Sequence, residues 1–291
     1  MRVLLSIGML LLSGVTALAC ERVDEASGAP VQGFQPGRTV SEPVVNETSA
    51  GETSLDVQAA RTILNLMNQA RAQAGLAPLV LDSALSAAAQ AHGLEMLQRG
   101  SLSHQFPGEA DLLSRLGQSG AHFSRAGENI AFDYSAEHAH QSLMGSDEHR
   151  RNLLDASFNA VGIAVVWTRC QMYVVQDFAH QLPKYEAGQA EDLIAEKVAS
   201  LRTQTRLPRL NRVKSSSVAE ACDSEKMHQN RAAVSSARYV LSYSNAEPQA
   251  LPSSAGNVIS NGQMKDFSVG ACYARTEKNP NGAYFVTMMF Y

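Results

Sequence analysis

The chain has no run of basic residues, only four cysteines and a single tryptophan. With 24 Lys and Arg against 28 Asp and Glu, its formal charge is -4. Clustered positive charge is what holds a phosphate backbone, so nucleic acid is excluded as an expected partner. Four cysteines are too few to build a disulfide scaffold, and their spacing fits no zinc ribbon. No His-Glu-x-x-His helix and no Gly-x-Ser-x-Gly elbow occurs, which removes the standard signatures of zinc proteases and α/β-hydrolases. The sequence also has few charged side chains, 18%, beside 45% hydrophobic residues, the balance of a packed globular protein. Its 291 residues suffice for one large domain or two modest ones.

The N-terminus sets the expected compartment. Arg2 precedes an apolar stretch from Val3 to Leu12, about half of the roughly 20 residues a bilayer-spanning helix needs. It reads as a secretion signal over residues 1–19, with Ala17-Leu18-Ala19 as the cleavage site. Cys20 follows at once and resembles the acylated cysteine of a bacterial lipobox, although Ala17 stands where Leu is usual. Two readings stay open: a membrane anchor through lipidated Cys20, or plain secretion with an incidental cysteine. Residues 20–54, with Pro30, Pro36 and Pro43 and a single aromatic, Phe34, cannot bury enough apolar surface to order themselves and are expected to form a tether.

Helical periodicity then runs from Leu55 to Gly75, and again from the capping pair Asp82-Ser83 to Gly100. Shorter helices are expected over Asp111–Leu116 and from Ser135 to about Ser146. The period switches to two at Val161–Trp167 and Met172–Phe178, which predicts a β-hairpin. Helices followed by strands imply an α+β fold with helices layered on an antiparallel sheet. His92 lies on the apolar stripe of the second helix and is read as packed; His122, His138, His140 and His180 are read as solvated or local, and Trp167 as core.

Leu66-Met-Asn-Gln-Ala-Arg71, Gly75-Leu-Ala-Pro-Leu79, Ser103-His104, Arg115-Leu-Gly117, Gly127-Glu-Asn-Ile-Ala131, Ser146-Asp-Glu-His-Arg150 and Val161-Gly162 occur in one order over about 120 residues. They resemble the bacterial CAP domain, the superfamily of cysteine-rich secretory proteins, antigen 5 and pathogenesis-related proteins, also called SCP-like. The resemblance implies an α-β-α sandwich over residues 55–183, with a mostly antiparallel sheet and a solvent-open groove. It also implies that His104, Glu128 and His149 line the groove. Ser146 falls where many animal members carry a fourth, acidic residue. Two imidazoles and a carboxylate could form a Zn²⁺ shell with one open position, so His104, His149 and Glu128 are candidate metal ligands. The alternative is a structural hydrogen-bonded network in which Glu128 and Asn129 fix a loop. Arg150 is expected to anchor the loop of the Ser-Asp-Glu-His-Arg run.

The second half echoes the first. Arg202-Thr-Gln-Thr-Arg-Leu-Pro-Arg-Leu210 repeats the spacing of Arg71 to Leu79; Glu220–Met227 aligns with Ala89–Met96 at the same offset. Val269-Gly270 and Ala283–Phe290 mirror the first hairpin. Residues 190–291 therefore read as a shortened, divergent CAP-like unit, joined by a short linker and lacking the Gly-Glu-Asn motif and the His-Arg run. A Cys222–Cys272 bridge would join helix to strand within it and leave Cys170 unpaired; spacing alone does not fix the pairing.

Three functions follow as expectations. The groove binds a lipid, glycan, peptide or wall component without catalysis; or His104, Glu128 and His149 activate water for hydrolysis, directly or through Zn²⁺; or the protein is an extracellular interaction partner whose second unit presents the surface. A shared fold favours no single reaction.

Overall fold

The computed structural model describes residues 55–215, 218 and 237–291. The expected signal, the tether, Cys20, Cys222 and the aligned segment Glu220–Met227 lie outside them.

In the first half the helices begin where side chains can cap them. Asp56 accepts from the Ala59 amide to start α1 (Val57–Gln73), and Asp82 accepts from the Leu85 amide to start α2 (Ser83–Arg99). Gly100 ends α2 in the left-handed conformation that glycine adopts without strain. Asp111 and Ser135 cap α3 (Leu112–Gln118) and α4 (Ala136–Gly145) in the same way. The Ser-Asp-Glu-His-Arg run is no loop: Asp147–Leu153 form helix α5, whose acidic first turn and basic last turn suit its dipole. Nor is Glu128 in a loop, because Phe123–Asp133 form a long strand, β2.

These helices sandwich a four-stranded sheet of order β1-β3-β4-β2, where β1 is Val80–Leu81, β3 Ala160–Trp167 and β4 Met172–Gln181. β1 runs parallel to β3 and the other pairs are antiparallel. One face carries α1 and α4 through Ile63, Met67, Ala139 and Leu143; the other carries α2 and α3 through Leu85, Met96 and Leu116. A side chain at Gly162 would place its Cβ 2.1 Å from the Leu85 carbonyl carbon, so glycine is what lets α2 lie directly on β3. Trp167 packs on the edge of this core and donates its ring N–H to Asp56 at 2.8 Å.

The second half has the same plan. Helix α6 (Ala187–Gln204) and helix α7 (Ser253–Ile259) pack on a sheet of order β5-β7-β8-β6, built from Asn211–Arg212, Asp266–Thr276, Asn279–Phe290 and Tyr239–Asn245 respectively. Position by position this is the order of the first sheet, including the short parallel strand at one edge. Its core, with Ile194, Val198, Ile259 and Phe290, is separate from the first. The likeness extends to single hydrogen bonds. Buried Arg71 donates to the carbonyls of Ala77, Leu153, Asp155 and Phe158. Buried Arg202 donates to those of Pro208, Ile259, Asn261 and Met264, with the same guanidinium nitrogens and the same spacing among the acceptors of the later segment. Gly270 admits the Val218 carbonyl 1.8 Å from where its Cβ would stand, the counterpart of Gly162 under α2. The fold is thus α+β, an α-β-α sandwich followed by a second, divergent unit with the same strand order.

Cys170 and Cys272 are both disulfide-bonded. This corrects the expectation that Cys170 is left unpaired: it lies exposed at the β3–β4 turn, where a partner from elsewhere in the chain can reach it. Among the described residues no helix is long and apolar enough to cross a membrane.

Candidate functional site

Glu128 sits in β2, an edge strand, and its side chain turns toward α2 and α3. The carboxylate is buried and divides its oxygens. Oε1 lies 2.8 Å from His104 Nδ1, and Oε2 accepts from Arg115 Nη2 at 2.5 Å. Arg115 comes from α3 and also donates through Nη1 to the His104 carbonyl at 3.1 Å. One guanidinium therefore holds both members of the Glu128–His104 pair, as a planar multi-donor group can.

His149 approaches the same strand from its other face. Neighbouring Asn129 is fully buried, donates to the His149 carbonyl at 3.1 Å, and accepts from Asn152 at 2.9 Å. Successive strand residues face opposite sides, which explains why Glu128 and Asn129 serve two different histidines. Asn152 also donates to the Glu128 carbonyl at 3.2 Å, covering one backbone acceptor of the sheet edge. His149 Nδ1 lies 2.8 Å from Ser146 Oγ, so Ser146 orients that ring. Gly127 approaches Asn152 and Phe158 closely, which accounts for the small residue in the Gly-Glu-Asn motif.

The two imidazoles are shifted in opposite senses. The hydrogen bond to Glu128 raises the His104 pKa above its ordinary value, against burial and the repulsion of Arg115. Burial lowers that of His149, and the nearby charge of His104 lowers it further. The His104 side chain is 60% exposed while Glu128 beneath it is 4% exposed, so the site is an open surface on a buried ionic base. Neither Nε2 atom has a protein partner among the described residues.

Glu128 is engaged on both oxygens, by His104 and by Arg115. Among the described residues no group of three His, Cys, Asp or Glu is placed to hold a metal ion. Glu128 is a carboxylate partner that orients His104. Ser103 is no nucleophile for His104 either, since its hydroxyl donates to the Gln105 carbonyl at 2.7 Å.

Residues beyond the motif complete the base. Buried His92 places Nδ1 2.6 Å from Glu109 and Nε2 2.8 Å from the Ser103 carbonyl. It thereby ties α2 to the loop that carries His104. Asp177, on β4 directly opposite Glu128, is completely buried. Burial, then the charge of Glu128, pushes its carboxyl well above the usual carboxylate range. The adjacent polar pair Gln176-Asp177 in an otherwise apolar strand was the available signal in the sequence. Arg150 is anchored as expected, donating to the Met144 carbonyl at 2.9 Å and pairing with Asp147.

Two of the other histidines are placed differently from expectation. His122 and His140 are buried rather than solvated. His138 pairs with buried Asp133 at 2.7 Å and lies against Tyr134, and His180 Nδ1 lies 2.6 Å from the Ser157 carbonyl.

Residues 64–178 match the family model described as the cysteine-rich secretory protein family, CAP. The uncharacterized protein YkwD of Bacillus subtilis is 29% identical over 160 residues, 53% of this chain and 58% of that protein. The uncharacterized membrane protein YlbC of the same organism is 32% identical over 106 residues, 36% of this chain and 31% of that one. The chain thus spans less than two thirds of either relative. Among solved structures, an extracellular protein containing an SCP domain from Bacillus anthracis is 27% identical, with a TM-score of 0.40, over 48% of this chain and 45% of that chain.

Proposed function

We propose a function from one premise: the chain carries a domain of the CAP family over residues 64–178. The protein is exported by its N-terminal signal and held at a membrane through acylated Cys20, with residues 20–54 as the tether. Its site at the edge of β2 binds a lipid, glycan, peptide or other wall component through the Nε2 edges of His104 and His149. The observation that carries this reading is the exposed His104 ring fixed on a buried Glu128–Arg115 pair. Two charges placed under a solvent-facing imidazole are expensive to bury, and an arrangement that fixes a surface ring suits recognition better than folding. An anionic or hydroxyl-rich ligand meets a donor at His104 and an acceptor at His149.

A second reading is favoured by one observation, the opposite shifts of the two imidazoles. Titratable neighbours driven apart are the pattern of an acid and a base. On that reading His149 Nε2 takes a proton from water while His104 supplies one to the leaving group, without a metal-dependent step.

Incubating the full chain with wall fragments and with lipid vesicles, and assaying both retention and released product, separates the two. Retention falling at least about tenfold in His104→Ala and in His149→Ala, with no product, supports binding; about tenfold corresponds to one lost charged hydrogen bond. Product whose release needs both histidines shows hydrolysis. Equal retention by the parent and both variants overturns the site.

A further inference from the structure

The end of β7, its turn and the start of β8 belong to the second unit, yet they lie against α3 and the start of β2 in the first. Asn281 Nδ2 donates to the Phe123 carbonyl at 2.7 Å, and Arg275 Nη2 donates to the Ala121 carbonyl at 3.0 Å. Tyr273 and Tyr284 meet the His122 ring edge-on, with centroids 5.0 and 5.9 Å away. Between these contacts Pro280 reaches α3 itself: a Cβ on Gly117 would stand 1.9 Å from the Pro280 carbonyl oxygen. Backbone thus meets backbone, and neither can move aside cheaply.

Helix α3 needs such support. It has seven residues and one side-chain cap, from Asp111. Helices this short are unstable without tertiary packing. Two residues before Gly117 comes Arg115, which grips the Glu128 carboxylate and the His104 carbonyl. A slip of one residue turns a helix by about 100° and would carry the guanidinium away from both.

We propose that the β7–β8 hairpin of the second unit is a working part of the first unit's site: by clamping α3 through Pro280, Asn281 and Arg275, it holds Arg115 in place and so fixes Glu128 under the His104 ring. The three hairpin residues are positioning residues, and none touches a ligand. The second unit has no histidines in the corresponding places, and its proposed contribution is mechanical. This deepens the site described above, but it rests only on the Glu128–His104 pair and not on any ligand.

The test is an NMR pH titration of the His104 ring in the full chain, with the resonance assigned by its absence in His104→Gln. The groups acting on this ring are Glu128, Arg115 and His149. The bond to Glu128 is the largest influence and the repulsion of Arg115 the smallest. Loosening α3 releases both ends of the pair, so the His104 midpoint moves down toward 6.5, the ordinary imidazole value. Gly117→Ala and the double variant Arg275→Ala with Asn281→Ala both produce this movement. Ile259→Ala, in the second unit's own core, lowers the melting temperature and leaves His104 where it was. An unchanged or raised His104 midpoint in both hairpin variants overturns the proposal, and so does an equal movement in Ile259→Ala. Failure of ligand binding would leave the titration untouched, so the two claims fail separately.

Discussion

Glu128 shares one carboxylate between a fixed cation and a titrating one, and that division governs how the site responds to substitution and to pH. In Glu128→Gln the buried Arg115 loses its counter-charge, at a cost of about 3 kcal/mol in chemical denaturation; this is the low end for a broken buried pair, because Glu109 remains 3.7 Å from the guanidinium. The signs of the histidine shifts give the pH dependence. His104 has a raised folded pKa, so its pairing stabilises fully below its ordinary value of 6.5 and is lost as pH rises through the folded value. His149 has a lowered one, so its contribution is present above 6.5 and is lost as pH falls. Denaturation curves of His104→Gln and His149→Gln should therefore converge on the parent at opposite ends of the range from pH 5 to 8. The histidines, Glu128 and Ser146 were legible because they lie inside short motifs. Asp177 and Glu109 were not, because their meaning depends on which strand or helix faces them.

At the scale of elements, sequence legibility followed local chemistry. Helices α1 to α4 were visible because Asp56, Asp82, Asp111 and Ser135 cap them and apolar residues repeat on one face. Strand β2 escaped because Arg125, Glu128 and Asn129 interrupt any alternation; each is polar for reasons of the site or its surface. Helix α5 escaped because seven mostly charged residues carry no apolar period. The strongest element-level expectation concerns the two buried arginines. Each holds the end of a first helix to the carbonyls of a later segment, Arg71 in one unit and Arg202 in the other. Arg71→Met and Arg202→Met should each cost about 3 kcal/mol or more, since several buried carbonyls lose a charged donor at once. Gly162→Ala and Gly270→Ala should likewise each cost about 2 kcal/mol, by forcing the backbone of Leu85 or of Val218 off the strand beneath it. Denaturant midpoints measure both pairs, and near-equal effects within each pair are expected.

For the whole molecule, the cysteines impose a constraint on the proposed anchor. The chain has four, and Cys170 and Cys272 are both bonded. Cys170 lies at the β3–β4 turn, beside Met172, whereas Tyr273, next to Cys272, lies against His122 at the opposite end of β2 and β4, so the two are not each other's partners. An acyl group and a disulfide at Cys20 exclude each other, because each uses the same sulfur. On the proposed reading, mapping of unreduced peptides from the membrane-bound protein should find fatty acid on the peptide beginning at Cys20; a disulfide at Cys20 would remove the anchor. Domain order along the chain was legible because a repeat of spacing survives divergence of residue type, as Arg71 and Arg202 illustrate. Contact between the units was not legible, since Pro280 on Gly117 pairs two residues with no local signal.

One further consequence follows from where the histidines stand. They flank the margin of a sheet, one served by Glu128 and one by its neighbour Asn129. A margin is a line. On the proposed reading it grips a small molecule poorly, because little of the molecule's surface is enclosed, but it can accompany a chain for as long as the chain runs beside it. The strand is eleven residues long, a span of about 36 Å at some 3.3 Å per residue. Recognition laid out in this way sorts by length: affinity should climb with the number of repeating units in a fragment and level off once the fragment outruns the strand.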